Sequence, residues 1–169
     1  MIHLICGPIG AGKTTIAHQI AEQYGAIRFS EDEWLSKLFI PDAPQDLMSC
    51  SDDIISAWAT EKYQRCRGQI WLLCERLLSL GVPVVLDGAA ATKEQRDAFR
   101  KKASKCGVDF QLHYVTSDSE TRKKRVFERN NEKGRTYSIE VTLGMFNMME
   151  TFFQPPVTDE LAEARVVHT

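Results

Sequence analysis

The chain has no apolar run approaching the 18 residues a membrane span requires, and no basic stretch followed by a long apolar one at its start. A membrane helix and a secretory leader are not expected. Charge of one sign is also missing: 21 Lys and Arg stand against 23 Asp and Glu, a net charge of -2, so no general field draws in a polyanion. Nucleic acid as a partner would need a local basic patch. The five cysteines, Cys6, Cys50, Cys66, Cys74 and Cys106, form an odd set with no C-x-x-C pair and no histidine at ligand spacing, which excludes a zinc knuckle and argues against a disulfide framework. Free thiols in a reducing compartment are expected, and with them a soluble, cytoplasmic protein. Internal repeats and low-complexity tracts are absent as well. With 169 residues, one domain of ordinary size is expected over 1–169.

What is present is concentrated in residues 7–14, Gly7-Pro8-Ile9-Gly10-Ala11-Gly12-Lys13-Thr14, a complete G-x-x-x-x-G-K-[ST] loop directly after the apolar run Ile2 to Cys6. A strand ending at Cys6 must turn sharply into a helix, and glycines at 7, 10 and 12 let the backbone turn several N–H groups inward as a nest for phosphate oxygens. The helix that follows adds its positive end, Lys13 reaches the β- and γ-phosphates, and the Thr14 hydroxyl suits Mg²⁺. Thr15 lies along the α-phosphate or packs. The implied cofactors are ATP and Mg²⁺, with Gly7, Gly10, Ala11, Gly12, Lys13, Thr14 and Thr15 as the nucleotide-binding set.

Apolar runs alternate with helical patterns along the chain, the mark of an α/β protein with a parallel sheet covered on both faces. Strands are expected at Ile2 to Cys6, Ala26 to Phe29, Val84 to Asp87, Phe110 to Val115 and Ala164 to His168. A long helix is expected from Ile54 to Leu80, with Ala59, Tyr63, Cys66, Ile70, Leu73, Leu77 and Leu80 as its core stripe rather than a coiled-coil seam. Residues 41–53 are polar and acidic with prolines, a surface loop. A Met- and Phe-rich helix is expected from Ser138 to Phe153, its apolar residues in the core, and His3 and His113 read as packed strand residues.

In such a sheet ligands sit at the carboxyl ends of the strands. Ser30-Glu31-Asp32-Glu33 follows the second strand; Ser30 with Glu33 spells a capping box, yet a carboxylate on this rim can take a hydroxyl proton during phosphoryl transfer, and Asp32 is the candidate base with Glu31 next. The third strand closes on Asp87, a carboxylate that would emerge near Mg²⁺, so Thr14 and Asp87 form the expected metal set. Thr92 to Gln95 is a second capping box opening a helix with Arg96 and Arg100; Arg96 either grips a substrate anion or lies on a solvated helix face. After the fourth strand, Arg122, Arg125 and Arg129 share a helical face, as a loose, charge-dispersed transition state needs, with Arg125 and Arg129 ahead of Arg122 as catalytic groups and Gly134 as a hinge.

The phosphate loop, the acidic turn after the second strand, Val84-Val85-Leu86-Asp87-Gly88, the Arg122-x-x-Arg125-x-x-x-Arg129-Asn130 segment and Phe153-Gln154-Pro155-Pro156 together resemble the small P-loop kinases of the AAA-type ATP-binding group, among them zeta toxins, chloramphenicol phosphotransferase, gluconate and shikimate kinases and polynucleotide kinase. The resemblance implies a three-layer fold with sheet order 2-3-1-4-5, a lid over about residues 118–137, Asp32 as the acceptor-activating group, Lys13, Arg125 and Arg129 as catalytic partners, Arg129 also against the nucleotide, and Pro155 beside adenine. It implies an ATP-dependent phosphotransferase acting on a hydroxyl-bearing acceptor, a small molecule ahead of a nucleic-acid 5'-end, in a monomer or dimer. The alternative is an ATP-binding switch or weak ATPase acting through a protein partner, weakened by the lack of a Gln or switch-like glycine motif after Asp87.

Overall fold

The computed structural model describes residues 1–88, 90–132, 134 and 140–169. Strands β1 (Ile2–Cys6), β2 (Ile27–Ser30), β3 (Val84–Asp87), β4 (Phe110–Thr116) and β5 (Arg165–His168) pair in parallel in the order β2-β3-β1-β4-β5. This is the expected topology. Helices α1 (Lys13–Tyr24), α2 (Glu31–Leu38), α3 (Asp52–Ser79), α4 (Lys93–Lys105), α5 (Ser119–Glu132), α6 (Leu143–Phe152) and α7 (Thr158–Glu163) fill the connections, with a 3₁₀ turn at Leu47–Ser49 inside the acidic loop.

The pleat divides the strand residues between two cores. Ile2, Leu4 and Cys6 of β1, with Val84 and Leu86 of β3, pack against Cys66, Ile70, Cys74 and Leu78 of α3 and Phe99 and Ala103 of α4. Ile5 and Val85 face the other way, onto Ala17 and Ile20 of α1. Both faces are covered, so β1 is buried at every position.

Three expectations need correction. The buried stripe of α3 runs every fourth residue from Cys66 to Leu78, while Leu73 and Leu80 are 46% and 60% exposed. A helix lying on a sheet buries one straight i, i+4 ridge, and the wider three-four alternation includes residues on its flank. In the Met- and Phe-rich segment the helix begins at Leu143; Ser138 and Ile139 lie outside the described residues. Only Phe146 of that helix is buried, on Val126 and Val141, and Met148 and Phe152 are 61% and 52% exposed, so ten residues rest on one narrow stripe rather than filling a core.

Arg96 is neither on a solvated face nor open to a substrate. It is fully buried, donating through Nε and Nη2 to the Glu160 carboxylate at 2.6 and 2.9 Å and through Nη1 to the Gln154 and Ala90 carbonyls at 2.8 and 3.2 Å. The pair, which holds Glu160 below the usual carboxylate range, fastens the segment after α6 onto the start of α4. The capping box at Thr92 and Gln95 is complete.

His3 and His113 are packed strand residues, as expected. Their rings meet at 3.1 Å between Nδ1 and Nε2 beside Tyr24, and burial holds both down to about 4.

Two stability predictions follow from these buried groups. Arg96→Met strands the Glu160 charge and is expected to cost about 3–5 kcal/mol in urea unfolding, most of it recovered in Arg96→Met/Glu160→Leu. Because the two histidines are neutral when folded and take up protons when unfolded, their contribution is complete above pH 6.5 and is lost as pH falls toward 4. Thermal melts over that window are expected to show a steep fall, shallower in His3→Phe/His113→Leu.

Candidate active site

The loop after β1 is shaped by close approach. Gly7 has φ +155°, and a Cβ there would stand 2.1 Å from the Val115 carbonyl oxygen; Gly10 has φ +78°, and its Cβ would meet the Arg122 carbonyl oxygen at 2.5 Å. Neither position admits a side chain, so the loop is pressed against the end of β4 and the first turn of α5. Arg122 locks it there: Nη1 donates to the Ile9 carbonyl at 3.1 Å, Nε to Ser117 O at 3.0 Å, and the fork grips Glu150 of α6. Arg122 is buried, a brace beneath the loop rather than a group over it.

Arg125 donates to Thr169 Oγ1 at 2.8 Å, and that hydroxyl donates to the Ala11 carbonyl at 3.1 Å, so Arg125 steadies the loop from its outer side. Arg129 is the arginine whose positive field reaches Lys13. Asn130 closes the top of α5, clasping the Val141 backbone by both its N–H and its carbonyl at 3.1 and 2.8 Å. Gly134 is described, but Lys133 and residues 135–137 of the expected lid lie outside the described residues.

Inside the loop, Lys13 Nζ donates to the Pro8 carbonyl at 2.9 Å. Burial pulls its ammonium below the usual lysine range, opposed chiefly by Asp87 and then Asp32. Those three groups thus share one site. The strand register accounts for it: Ile5, Asp87 and Ser30 stand side by side across β1, β3 and β2, putting the loop, the β3 carboxylate and the start of α2 on one rim.

Asp87 is buried, which raises its pKa, while Arg28, Lys13 and a hydrogen bond with Thr14 pull the other way. Arg28 Nη1 lies 2.8 Å from Asp87 Oδ2, and Nη2 grips Glu33, so this arginine ties the end of β3 to the first turn of α2. Glu33 therefore does not complete a capping box; only the Ser30 half, accepting from Glu33 N at 3.3 Å, is made. Asp32 accepts from the Tyr63 hydroxyl of α3 at 2.7 Å. Glu31 turns inward instead, paired with Arg67 Nε and Nη2 at 2.9 Å each; burial raises its pKa and Arg67 opposes the rise.

A hydroxyl and one carboxylate, Thr14 and Asp87, suit a hard cation that keeps most of its waters and takes its remaining ligands from phosphate. Among the described residues no cluster of three or more His, Cys, Asp or Glu could hold a metal alone. No helix of the described residues is long and apolar enough to cross a membrane.

Sequence reasoning missed Arg28, Arg67 and the partners of Asp32 and Arg122. For Arg28 a signal existed: two residues before Ser30 in a strand, it shares a face with Ser30 and points along the acidic rim. Nothing local marks Arg67 or Glu150, whose partners are 36 and 28 residues away.

The family model described as an AAA domain matches residues 2–156, nearly the whole chain. The chain belongs to that family. This AAA domain has the fold of solved P-loop kinases. It overlays a sugar kinase from Janibacter sp. HTCC2649 with TM-score 0.62 at 17% identity, covering 99% of this chain and 84% of that one. It overlays a gluconokinase from Sinorhizobium meliloti 1021 with TM-score 0.59 at 18% identity, covering 98% and 81%. Kti12 of Chaetomium thermophilum, solved in complex with ADP-AlF3, gives TM-score 0.65 at 16% identity, covering 99% and 89%. At these identities the likeness is one of fold. No curated protein sequence matches the chain.

The close approach at Gly7 predicts a sharp contrast between glycines. Gly7→Ala is expected to destabilise the AAA domain by about 2 kcal/mol or more in denaturant titration. Gly68→Ala, in the exposed interior of α3 with nothing within 4 Å of the added methyl, is expected to stabilise it by about 0.5–1 kcal/mol.

Proposed function

We propose that the chain is an ATP- and Mg²⁺-dependent phosphotransferase that moves the γ-phosphoryl group to a hydroxyl of a small-molecule acceptor, residues 1–169 acting as one catalytic unit. The observation that carries this reading is the meeting of Lys13, Asp87 and Asp32 at one rim, where the strand register sets Ser30 beside Asp87 and both carboxylates act on the Lys13 ammonium. A nucleotide switch needs the first two; a carboxylate at the second strand, held by Tyr63, is what transfer to an alcohol adds.

The backbone N–H groups from Gly7 to Thr14, Ala11 and Gly12 included, cradle the phosphates, and Lys13 exchanges the Pro8 carbonyl for phosphate oxygens. Thr15 follows along the α-phosphate, and Pro155, exposed after α6, lies on the adenine side. Mg²⁺, held by the Thr14 hydroxyl and by Asp87 directly or through water, supplies charge neutralisation on the phosphates. Arg28 keeps the Asp87 carboxylate in place for that role.

Asp32 accepts the proton of the acceptor hydroxyl as its oxygen bonds to the γ-phosphorus and the bond from that phosphorus to the bridging oxygen of ADP breaks. Tyr63 orients Asp32 by its hydrogen bond and is a positioning residue. Arg129, whose charge already reaches Lys13, meets the negative charge spread over the transferring group, and Arg125 holds the loop against which it works.

The test uses labelled ATP with Mg²⁺ and a panel of sugars, polyols, nucleosides, aminoglycosides and 5'-hydroxyl oligonucleotides. Transfer to one class is expected, with Lys13→Ala abolishing it and Asp32→Asn lowering kcat by about 10²- to 10⁴-fold while ADP affinity stays within about twofold. Full transfer by Lys13→Ala, or an unchanged rate in Asp32→Asn, overturns the assigned roles. ATP hydrolysis with no phosphorylated product across the panel overturns the transferase reading in favour of an ATPase.

A further inference from the structure

Thr169, the residue that follows β5, is held against the outer side of the loop after β1 by its main chain and its side chain together. Its N–H donates to the Thr116 carbonyl at 3.1 Å and its main-chain oxygen accepts from Ser117 Oγ at 2.8 Å, which ties its backbone to the end of β4. Its hydroxyl accepts from Arg125 Nη1 at 2.8 Å and donates to the Ala11 carbonyl at 3.1 Å. A hydroxyl has one proton, and with a guanidinium N–H aimed at its oxygen that proton turns to the other partner. The order guanidinium, hydroxyl, carbonyl is therefore fixed in direction, and the cation strengthens the second bond as well as the first. The Thr169 methyl completes the contact, with Cγ2 3.8 Å from where a Cβ on Gly12 would stand.

What the hydroxyl grips is one peptide group. The Ala11–Gly12 peptide is planar and trans, so its C=O and its N–H point in opposite directions. Holding the Ala11 carbonyl toward Thr169 turns the Gly12 N–H to the opposite side of the loop. The Ala11 N–H is spent on the Pro8 carbonyl at 3.3 Å, whereas among the described residues the Gly12 N–H donates to no main-chain carbonyl. Glycine does not keep that peptide in place by itself. Rotating it changes ψ of Ala11 and φ of Gly12, and glycine populates both signs of φ about equally, so the φ of +83° at Gly12 is as easily left as adopted. The orientation needs a hold from outside the motif, and the Thr169 hydroxyl is placed to supply it.

We infer that Thr169 is a positioning residue for phosphate recognition: its hydroxyl, polarised by Arg125, keeps the Gly12 N–H aimed at a phosphate oxygen of the nucleotide without touching the nucleotide itself. The hold acts on the phosphate chain and not on the nucleoside, so a bare polyphosphate feels it as fully as ADP does. The inference rests on the nucleotide-binding reading of residues 7–14.

The test is calorimetric binding of ADP and of inorganic tripolyphosphate, each with Mg²⁺, to the whole protein and to its Thr169→Val and Thr169→Ser variants. Valine keeps the shape and removes the hydroxyl; serine keeps the hydroxyl and removes the methyl. The position is exposed, so both variants retain the packed core. Thr169→Val is expected to weaken both ligands by the same factor, about three- to tenfold for one lost hydrogen bond, and Thr169→Ser to bind both within about twofold of the native chain. In amide NMR the Gly12 resonance is expected to move on tripolyphosphate binding in the native chain and in Thr169→Ser, and to move less in Thr169→Val at saturation. Weaker ADP binding with tripolyphosphate binding unchanged puts Thr169 against the nucleoside and overturns the inference. Unchanged affinity for both ligands in Thr169→Val, or a loss that serine does not restore, overturns it as well, and each of these results leaves the nucleotide-binding reading standing. Binding of neither ligand by the native chain fails that reading, and the inference with it.

Discussion

Everything at the rim depends on how closely the loop after β1 is pressed into the fold. At Gly7 and Gly10 the backbone passes so near the carbonyls of Val115 and Arg122 that no side chain fits, and those carbonyls belong to β4 and α5. The loop is therefore registered against the half of the sheet opposite to the one that carries Asp32 and Asp87. The order β2-β3-β1-β4-β5 makes this possible, because β1 is central and its end has a strand on each side. One side supplies the mould for the loop, and the other supplies the carboxylates that face it.

Buried and half-buried ion pairs do the remaining positioning, and each ties separate elements together. Arg28 links β3 to α2, Arg67 links α3 to α2, Arg96 links α4 to α7, and Arg122 links α5 to α6 and the loop. Replacing such a pair by apolar residues of similar volume is often no loss of stability, so their value here lies in geometry. An apolar contact fixes a separation loosely, whereas a forked guanidinium on a carboxylate fixes both distance and direction. A rim that brings Asp32, Asp87 and the loop after β1 within reach of one another gains from direction. The arginines are consistent with that need, since two of the four, Arg28 and Arg122, touch Asp87 or the loop itself.

The topology and the loop were legible because their signals are local. Strand, turn and helix residues stand in a row from Ile2 to Tyr24, and Val84 to Asp87 is an apolar run ended by a carboxylate. What escaped depends on partners that no spacing reveals. Arg96 sits in a helix beside a capping box, where a solvated face is the ordinary outcome, and only the arrival of Glu160 from 64 residues away makes it internal. The Ser30 and Glu33 pattern misled for a related reason: the side chain that would have completed the box found a stronger, charged partner in Arg28. The Met- and Phe-rich helix shows the converse, since periodic apolar residues record what a face can bury and not whether another element arrives to cover it.

These long-range pairs also bear on why the arginines of α5 separate in role despite sharing a face. Helical spacing places Arg122, Arg125 and Arg129 along one line, but the line rises from the loop, so each meets a different depth of the fold. Arg122 at the base is buried against Ile9 and Glu150; Arg125, a turn up, meets Thr169; Arg129, another turn up, is the one whose field reaches Lys13. Arg122 has its fork filled by a carboxylate and a loop carbonyl, and withdrawing it would release the very loop that binds phosphate. Scaffold duty thus falls at the foot of α5, where Arg122 joins the loop to α6.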